Sequence, residues 1–192
     1  KDFSKTYDTT FVEQLAYTYP KHVAEELLAN FDGNGTICDI GCGTGLVGQE
    51  LKNLNANVVI DGVDISPEMI AVAKTKNVYR NFYELDLTQP ILGVPIDYAA
   101  LISSGTFTHG HLGPTVLINL LSLCRDYALL TVGVNAEHYS DKGFEKVLNK
   151  LQAASRIKII KVSKQPIYSN QNETENEENR TAVVCTFTKM KS

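Results

Sequence analysis

Between Phe11 and Phe31, apolar residues return at helical spacing, at Val12, Leu15, Ala16, Tyr19, Val23, Leu27 and Leu28, which is the period of a helix that buries one face. Asp32-Gly33-Asn34-Gly35 follows, four residues that tolerate left-handed backbone and stop a helix. The pattern predicts one or two helices, with Pro20 as a bend or a fresh start. Residues 36–40 read as a short strand that runs into the glycine cluster of residues 41–48, and residues 46–54 return to helical period. Residues 57–63 form a second strand, closed by Asp64. Ser66-Pro67-Glu68 then places a cap residue, a proline at the first helical position and an acid in the first turn, so a helix should run to about Lys76. Further along, residues 80–85 read as a strand, 96–102 as a near-continuous apolar strand, 114–124 as a helix, 127–134 as a strand and 142–154 as a helix. Strands and helices alternate, the signature of a mostly parallel, doubly wound α/β sheet with helices on both faces.

The end of the chain breaks that rhythm. Residues 156–163 and 181–188 both read as strands with no helical pattern between them, so they should pair antiparallel, as a hairpin at one edge of the sheet. The connection between them holds the polar, acidic run 170–179, which cannot bury enough apolar area to order itself and reads as a mobile loop. At 192 residues the chain fits one domain by the usual size of about 150 residues: a helical cap over residues 1–35 and a core over 36–192.

Composition narrows the function classes. Hydrophobic residues make up 43% and charged residues 21%, ordinary for a globular chain. The formal net charge of −4 argues against a general electrostatic grip on nucleic acid or anionic membrane. No apolar run approaches the roughly 18 residues that span a bilayer, and the first residues lack the layout of a secretion signal. Cys38, Cys42, Cys124 and Cys185 form no CxxC pair, so reduced thiols in a cytoplasmic setting and no metal site are expected.

The chemistry concentrates at Asp39-Ile40-Gly41-Cys42-Gly43-Thr44-Gly45, where the first strand meets its helix and exposed amides face the crevice above the sheet. Gly43-x-Gly45-x-x-Gly48 satisfies the dinucleotide fingerprint, and Asp64 stands near the distance expected of an acid that holds a ribose diol. Three features favour a different ligand: Asp39 precedes the first glycine, Gly41 ends the strand ahead of the fingerprint, and a second acid, Asp86, follows the third strand. An uncharged thioether nucleoside needs polar anchors for an amino acid end, a ribose and an adenine, and no phosphate clamp.

The run from Asp39 to Gly45, then Gly62-Val63-Asp64-Ile65-Ser66-Pro67-Glu68-Met69, then Glu84-Leu85-Asp86-Leu87, resembles the first three motifs of the class I S-adenosylmethionine-dependent methyltransferases. Tyr7-Asp8 and Ser104-Gly105-Thr106-Phe107-Thr108-His109-Gly110-His111-Leu112 are similar to the Williams-Beuren-region methyltransferase-like group. The resemblance implies a seven-stranded Rossmann-like sheet and S-adenosyl-L-methionine as cofactor, with S-adenosyl-L-homocysteine as product. It implies that Asp39 and the backbone of Gly41 and Gly43 surround the methionine part and that Asp64 accepts both ribose hydroxyls. Ile65 and Met69 would pack on the adenine, Asp86 and the Leu87 amide would meet its edge, and Ser103 would lie beneath the sulfur. A helical lid ahead of the first strand would supply Tyr7, with Tyr17 and Tyr19 as further candidates. Each residue also has a plainer reading: Asp64 as a helix cap, Asp86 as a turn residue, Ile65 and Met69 as core.

For the acceptor, His109 and His111 are the candidate general bases, because imidazole titrates near neutral pH; both also suit a loop bonded to main chain. The segment after the fourth strand has no Asn-Pro-Pro-Tyr or Pro-Cys pattern of the kind that nucleic acid methyltransferases resemble. Lys158, Lys161 and Lys164, spaced by three, do not keep to one face of a strand and read as solubility and edge protection. The expectation is methyl transfer to a small-molecule acceptor, with no nucleic acid and no membrane. The rival readings are a catalytically silent cofactor-binding protein and an NAD(P)-dependent oxidoreductase, whose Tyr-x-x-x-Lys pair occurs only as Tyr17 to Lys21, ahead of the glycine loop.

Overall fold

Proline decides where the first described helix begins. In the computed structural model, which describes residues 17–54, 57–108, 112–169 and 180–191, Pro20 occupies the first turn of α1 (Tyr19–Leu28), where a missing amide removes no helical bond. It is a fresh start and not a bend. The first part of the expected helical run, Tyr7, His109, His111 and the acidic run 170–179 lie outside the described residues.

The elements then alternate as β1 (Thr36–Ile40), α2 (Leu46–Asn53), β2 (Val59–Asp64), α3 (Pro67–Thr75), β3 (Asn81–Glu84), β4 (Tyr98–Phe107), α4 (Val116–Leu120), β5 (Cys124–Asn135), α5 (Ala136–Asp141), α6 (Phe144–Ala153), β6 (Ile157–Pro166) and β7 (Thr181–Lys189). They build one seven-stranded sheet in the order β3-β2-β1-β4-β5-β7-β6. The first five strands run parallel, and β7 pairs antiparallel with both β5 and β6. The C-terminal hairpin thus closes one edge, as the lack of a crossover helix requires.

Alternation along each strand splits the core in two. Ile37 faces α1 and α2, joining Val23, Leu27, Val47, Leu51, Ala100 and Ile102. Cys38 and Ile40 face the other side, with Leu101, Leu117, Leu148 and Phe187. Burial on both faces accounts for the near-continuous apolar runs of the central strands. Among the described residues no helix is long and apolar enough to cross a membrane.

Three elements depart from the sequence pattern. The fourth strand continues to Phe107, past the apolar run, and its register against β5 shifts between Ser103 and Phe107 around Gly105 at φ 80°. The helix expected over 114–124 is shorter, because a single 3-10 turn (Leu121–Leu123) leads into β5 at Cys124. A six-residue helix, α5, precedes α6, capped by the Asn135 side chain, which accepts from the His138 amide at 3.1 Å.

Candidate functional site

The carboxyl ends of β1, β2 and β4 open into a cleft of about 610 Å³, the place where parallel sheets of this kind collect ligands. Gly41, Gly43, Asp64, Ile65, Met69, Asp86 and Leu87 stand in its wall, together with Tyr17, Pro20, Ser104, Thr106, Thr108 and Leu112. Asp39 and Ser103 do not; both are buried beneath it.

The glycine loop is stitched to its neighbours by main chain. The Cys42 amide donates to the Val63 carbonyl at 2.9 Å, and the Gly43 amide donates to Asp64 Oδ2 at 2.7 Å. Gly41 has φ 66°, and a Cβ there would collide with the Thr106 side chain, whose hydroxyl donates to the Ile40 carbonyl at 3.0 Å. Gly43 has φ 53° and open space where a Cβ would be. One glycine is demanded by β4 and the other leaves room for a ligand.

Asp64 ends β2 between this loop and α3. Its Oδ1 accepts from the Ser66 amide at 2.9 Å, and the Ser66 hydroxyl accepts from the Met69 amide at 3.2 Å. The cap of α3 is therefore Ser66, and Asp64 orients it. A carboxylate has about four acceptor positions, and each oxygen here has spent one on an amide, which leaves room for a diol. Ile65 is 63% exposed in the cleft wall, with Met69 half-buried beside it. Asp86 is a turn residue and a wall residue at once. Its Oδ1 accepts from the Thr88 hydroxyl at 2.6 Å and amide at 2.9 Å, and these bonds hold its carboxyl below the ordinary range.

Asp39 is enclosed completely. Its Oδ2 accepts from Tyr79 Oη at 2.7 Å, and its Oδ1 has no partner among the described residues. Burial pushes its carboxyl up to about 7, the Tyr79 bond opposes that, and the nearby Asp64 charge adds to it. The pattern along the chain gave no notice of Tyr79. Its hydroxyl also accepts from the Gly48 amide at 3.1 Å, and a Cβ on Gly48 would sit 2.5 Å from the ring. The third glycine of the dinucleotide-like pattern thus accommodates a tyrosine and not a pyrophosphate. The charged residues among the described cleft wall, Asp64 and Asp86, are both acidic, which likewise disfavours a phosphate ligand.

Ser103, expected under the sulfur, instead donates to the Ile40 carbonyl at 2.8 Å and pins β4 to β1. Its neighbour Ser104 reaches the wall, with a buried hydroxyl that has no partner among the described residues. At the far end Leu112 is held through its carbonyl by His138 Nε2 at 2.9 Å. In the sequence His138 is as inconspicuous as Tyr79; the Asn135-x-x-His138 cap spacing is its only local trace. Tyr17 lines the cleft, its ring 5.7 Å from that of Tyr168, whereas Tyr19 is core. The four cysteines are buried and free, and among the described residues no cluster of His, Cys, Asp and Glu could hold a metal ion.

An adenosine thioether fits these residues: a carboxylate with spare acceptor positions for a sugar, an exposed isoleucine for a base, an open glycine loop and an orphaned buried carboxylate oxygen near it. Residues 37–127 match a protein family described as a methyltransferase domain. The malonyl-[acyl-carrier protein] O-methyltransferase of Bacillus anthracis is 37% identical over 95 residues, which are 45% of this chain and 35% of that protein; the matched stretch thus spans about a third of that relative. A TehB-like methyltransferase from Corynebacterium glutamicum superposes with a TM-score of 0.66 at 19% identity, over 97% of both chains. The plantazolicin methyltransferase BpumL, solved with S-adenosylhomocysteine, superposes with a TM-score of 0.64 at 16% identity, over 98% of this chain and 89% of that one. Those two likenesses speak to the fold, and the family match and the three motifs speak to the cofactor. Residues 37–127, just under half of the chain, thus carry a methyltransferase domain, and the seven-stranded sheet around them is the fold of S-adenosylmethionine-dependent methyltransferases.

Proposed function

We propose that the protein transfers a methyl group from S-adenosylmethionine to a small-molecule acceptor by in-line displacement, in a reducing, cytoplasmic setting that its buried free thiols suit. The observation that carries this reading is Asp64, set between the Gly43 amide and the cap of α3, with an open glycine loop on one side and an exposed isoleucine on the other. When bound, the cofactor supplies an electrophilic methyl on a sulfonium. Asp64 accepts the ribose hydroxyls, Ile65 and Met69 cover the adenine, Asp86 and the Leu87 amide meet its edge, and the main chain of Gly41 and Gly43 borders the methionine part. Asp39 acts on that part from beneath the loop. Displacement at a sulfonium disperses charge, so the chain's task is alignment and exclusion of water.

Tyr17, Pro20, Ser104, Thr108 and Leu112 form the acceptor end. His109 and His111 belong to the segment between two cleft-wall residues, Thr108 and Leu112, which supports one of them as general base where the nucleophile starts protonated. Tyr7 is a further cofactor contact supplied from ahead of α1. A cleft whose charged wall residues, among those described, are acidic suits a small acceptor better than a nucleic acid backbone.

Calorimetry with S-adenosylhomocysteine and with NAD tests the cofactor: binding of the former is expected, and tight binding of NAD alone overturns the reading. Asp64→Ala removes charge-assisted hydrogen bonds worth roughly 1.5 to 3 kcal/mol each and should weaken S-adenosylhomocysteine by tenfold or more; unchanged affinity removes Asp64 from the site. Incubation with methyl-labelled cofactor and a metabolite extract should move label into a discrete product, whereas a cofactor-binding protein without catalysis would leave it in place.

A further inference from the structure

Tyr79 reaches Asp39 across forty positions of sequence and is not in the cleft wall, yet it touches both ends of the glycine loop. Its hydroxyl donates to Asp39 Oδ2 at 2.7 Å, where β1 runs into the loop, and accepts from the Gly48 amide at 3.1 Å, in the first turn of α2. Its ring fills the space that a side chain on Gly48 would need. One hydroxyl therefore joins the strand before the loop to the helix after it. The other oxygen of Asp39 is buried with no partner among the described residues, so this carboxylate is under-satisfied for a charged group.

We propose that Tyr79 is a positioning residue for the cofactor: through its hydroxyl it couples the charge of Asp39 to the geometry of the glycine loop. The inference rests on the cofactor reading above. A ligand that brings positive charge over the loop favours the ionised carboxylate, and the ionised carboxylate holds Tyr79, and through it Gly48, more firmly. The groups facing Asp39 are Tyr79, from the connection between α3 and β3, Asp64 at the end of β2, Cys42 in the loop and Cys38 on β1. Among the described residues none of these groups is a cation, so a positive charge on the ligand, such as the α-ammonium that S-adenosylhomocysteine carries, is what would stabilise the carboxylate.

Asp39 is protonated below about 7, and a ligand that requires the ionised form must expel that proton. Affinity then rises with pH up to that midpoint and levels off above it.

The experiment is calorimetric titration of the full chain with S-adenosylhomocysteine between about pH 5.5 and pH 8.5, for wild type, Tyr79→Phe and Asp39→Asn. Wild-type affinity should fall by up to about tenfold per pH unit below the midpoint. Tyr79→Phe keeps the ring and removes the bond that favours the carboxylate, so its midpoint should move to higher pH. Asp39→Asn should flatten the dependence, and keeps the proposal open to refutation should Tyr79→Phe not fold. A merely structural tyrosine would change the depth of binding and leave the midpoint in place, which overturns the proposal. A flat wild-type profile, or one that Asp39→Asn leaves unchanged, overturns it too. In those outcomes S-adenosylhomocysteine still binds and the cofactor reading stands; no binding at any pH defeats that reading itself.

Discussion

Asp39 and Asp61 are both carboxylates with no solvent exposure, and they differ in how they are satisfied. Asp61 accepts from Arg80 Nε at 3.0 Å and Nη2 at 2.7 Å, from Asn81 at 3.2 Å and from Tyr98 Oη at 3.0 Å. Asp39 accepts from Tyr79 alone among the described residues. Burial therefore raises the Asp39 carboxyl from an ordinary 3.8 to about 7. The folded state keeps that proton up to about 7 while the unfolded chain releases it from about 4 upward. Folding thus binds a proton in this window, and stability from this group is lost as pH rises through it. Asp39→Asn should raise the melting temperature at pH 8, about one unit above the folded midpoint, with the gain shrinking steadily as pH falls toward 4; scanning calorimetry that finds the same difference at both ends would show that the carboxylate is not held in its neutral form. A local reading of residues 39–45 makes Asp39 and Gly41 stand out as candidates. Tyr79 stays invisible there, because its significance is a contact forty positions away.

Element boundaries were legible wherever a cap or a proline marked them. Ser66, Pro67 and Glu68 announce α3, and the structure has the Ser66 hydroxyl accepting from the Met69 amide at 3.2 Å. Ser66→Ala should lower stability by about 1 kcal/mol, seen in urea as a lower midpoint with unchanged slope; no shift would mean that the Asp64 bond to the Ser66 amide already holds this turn. β4 shows the opposite case. Ser104-Gly105-Thr106 reads as a segment beyond the strand because it is polar, whereas the register shift between Ser103 and Phe107 lets the strand continue while Ser104, Gly105 and Thr106 line the cleft. That irregularity also separates Ser103, bonded to β1, from Ser104, at the wall. Helix α5 leaves no trace in the pattern, since its six residues carry too few apolar positions to show a period.

At the scale of the whole molecule the sheet leaves β6 as an edge. A register shift between Ile159 and Lys161 sets Lys158 opposite Thr188 and Lys161 opposite Thr186, so these two lysines share a face, despite a spacing of three that would separate them on a regular strand. Lys161 pairs with Glu26 of α1 on that face, and Lys164 falls on the other. Ile160 and Val162 are each 45% exposed along the same edge, which makes the lysines its guard against pairing with another chain. Replacing Lys158 and Lys164 together by valine should produce concentration-dependent association in light scattering at matched ionic strength, while a species of unchanged mass would assign the lysines to solubility alone. The alternation of strands and helices, the glycine loop and the acid that closes β2 could be read from the chain itself, because periodicity, capping and turn chemistry act within a few residues. Only the tertiary structure decided which carboxylates face the cleft and which lie beneath it, and it alone brought Tyr79 under the loop and His138 to the Leu112 carbonyl. Those relations depend on strand register and on packing between distant segments, and no window along the chain contains both partners.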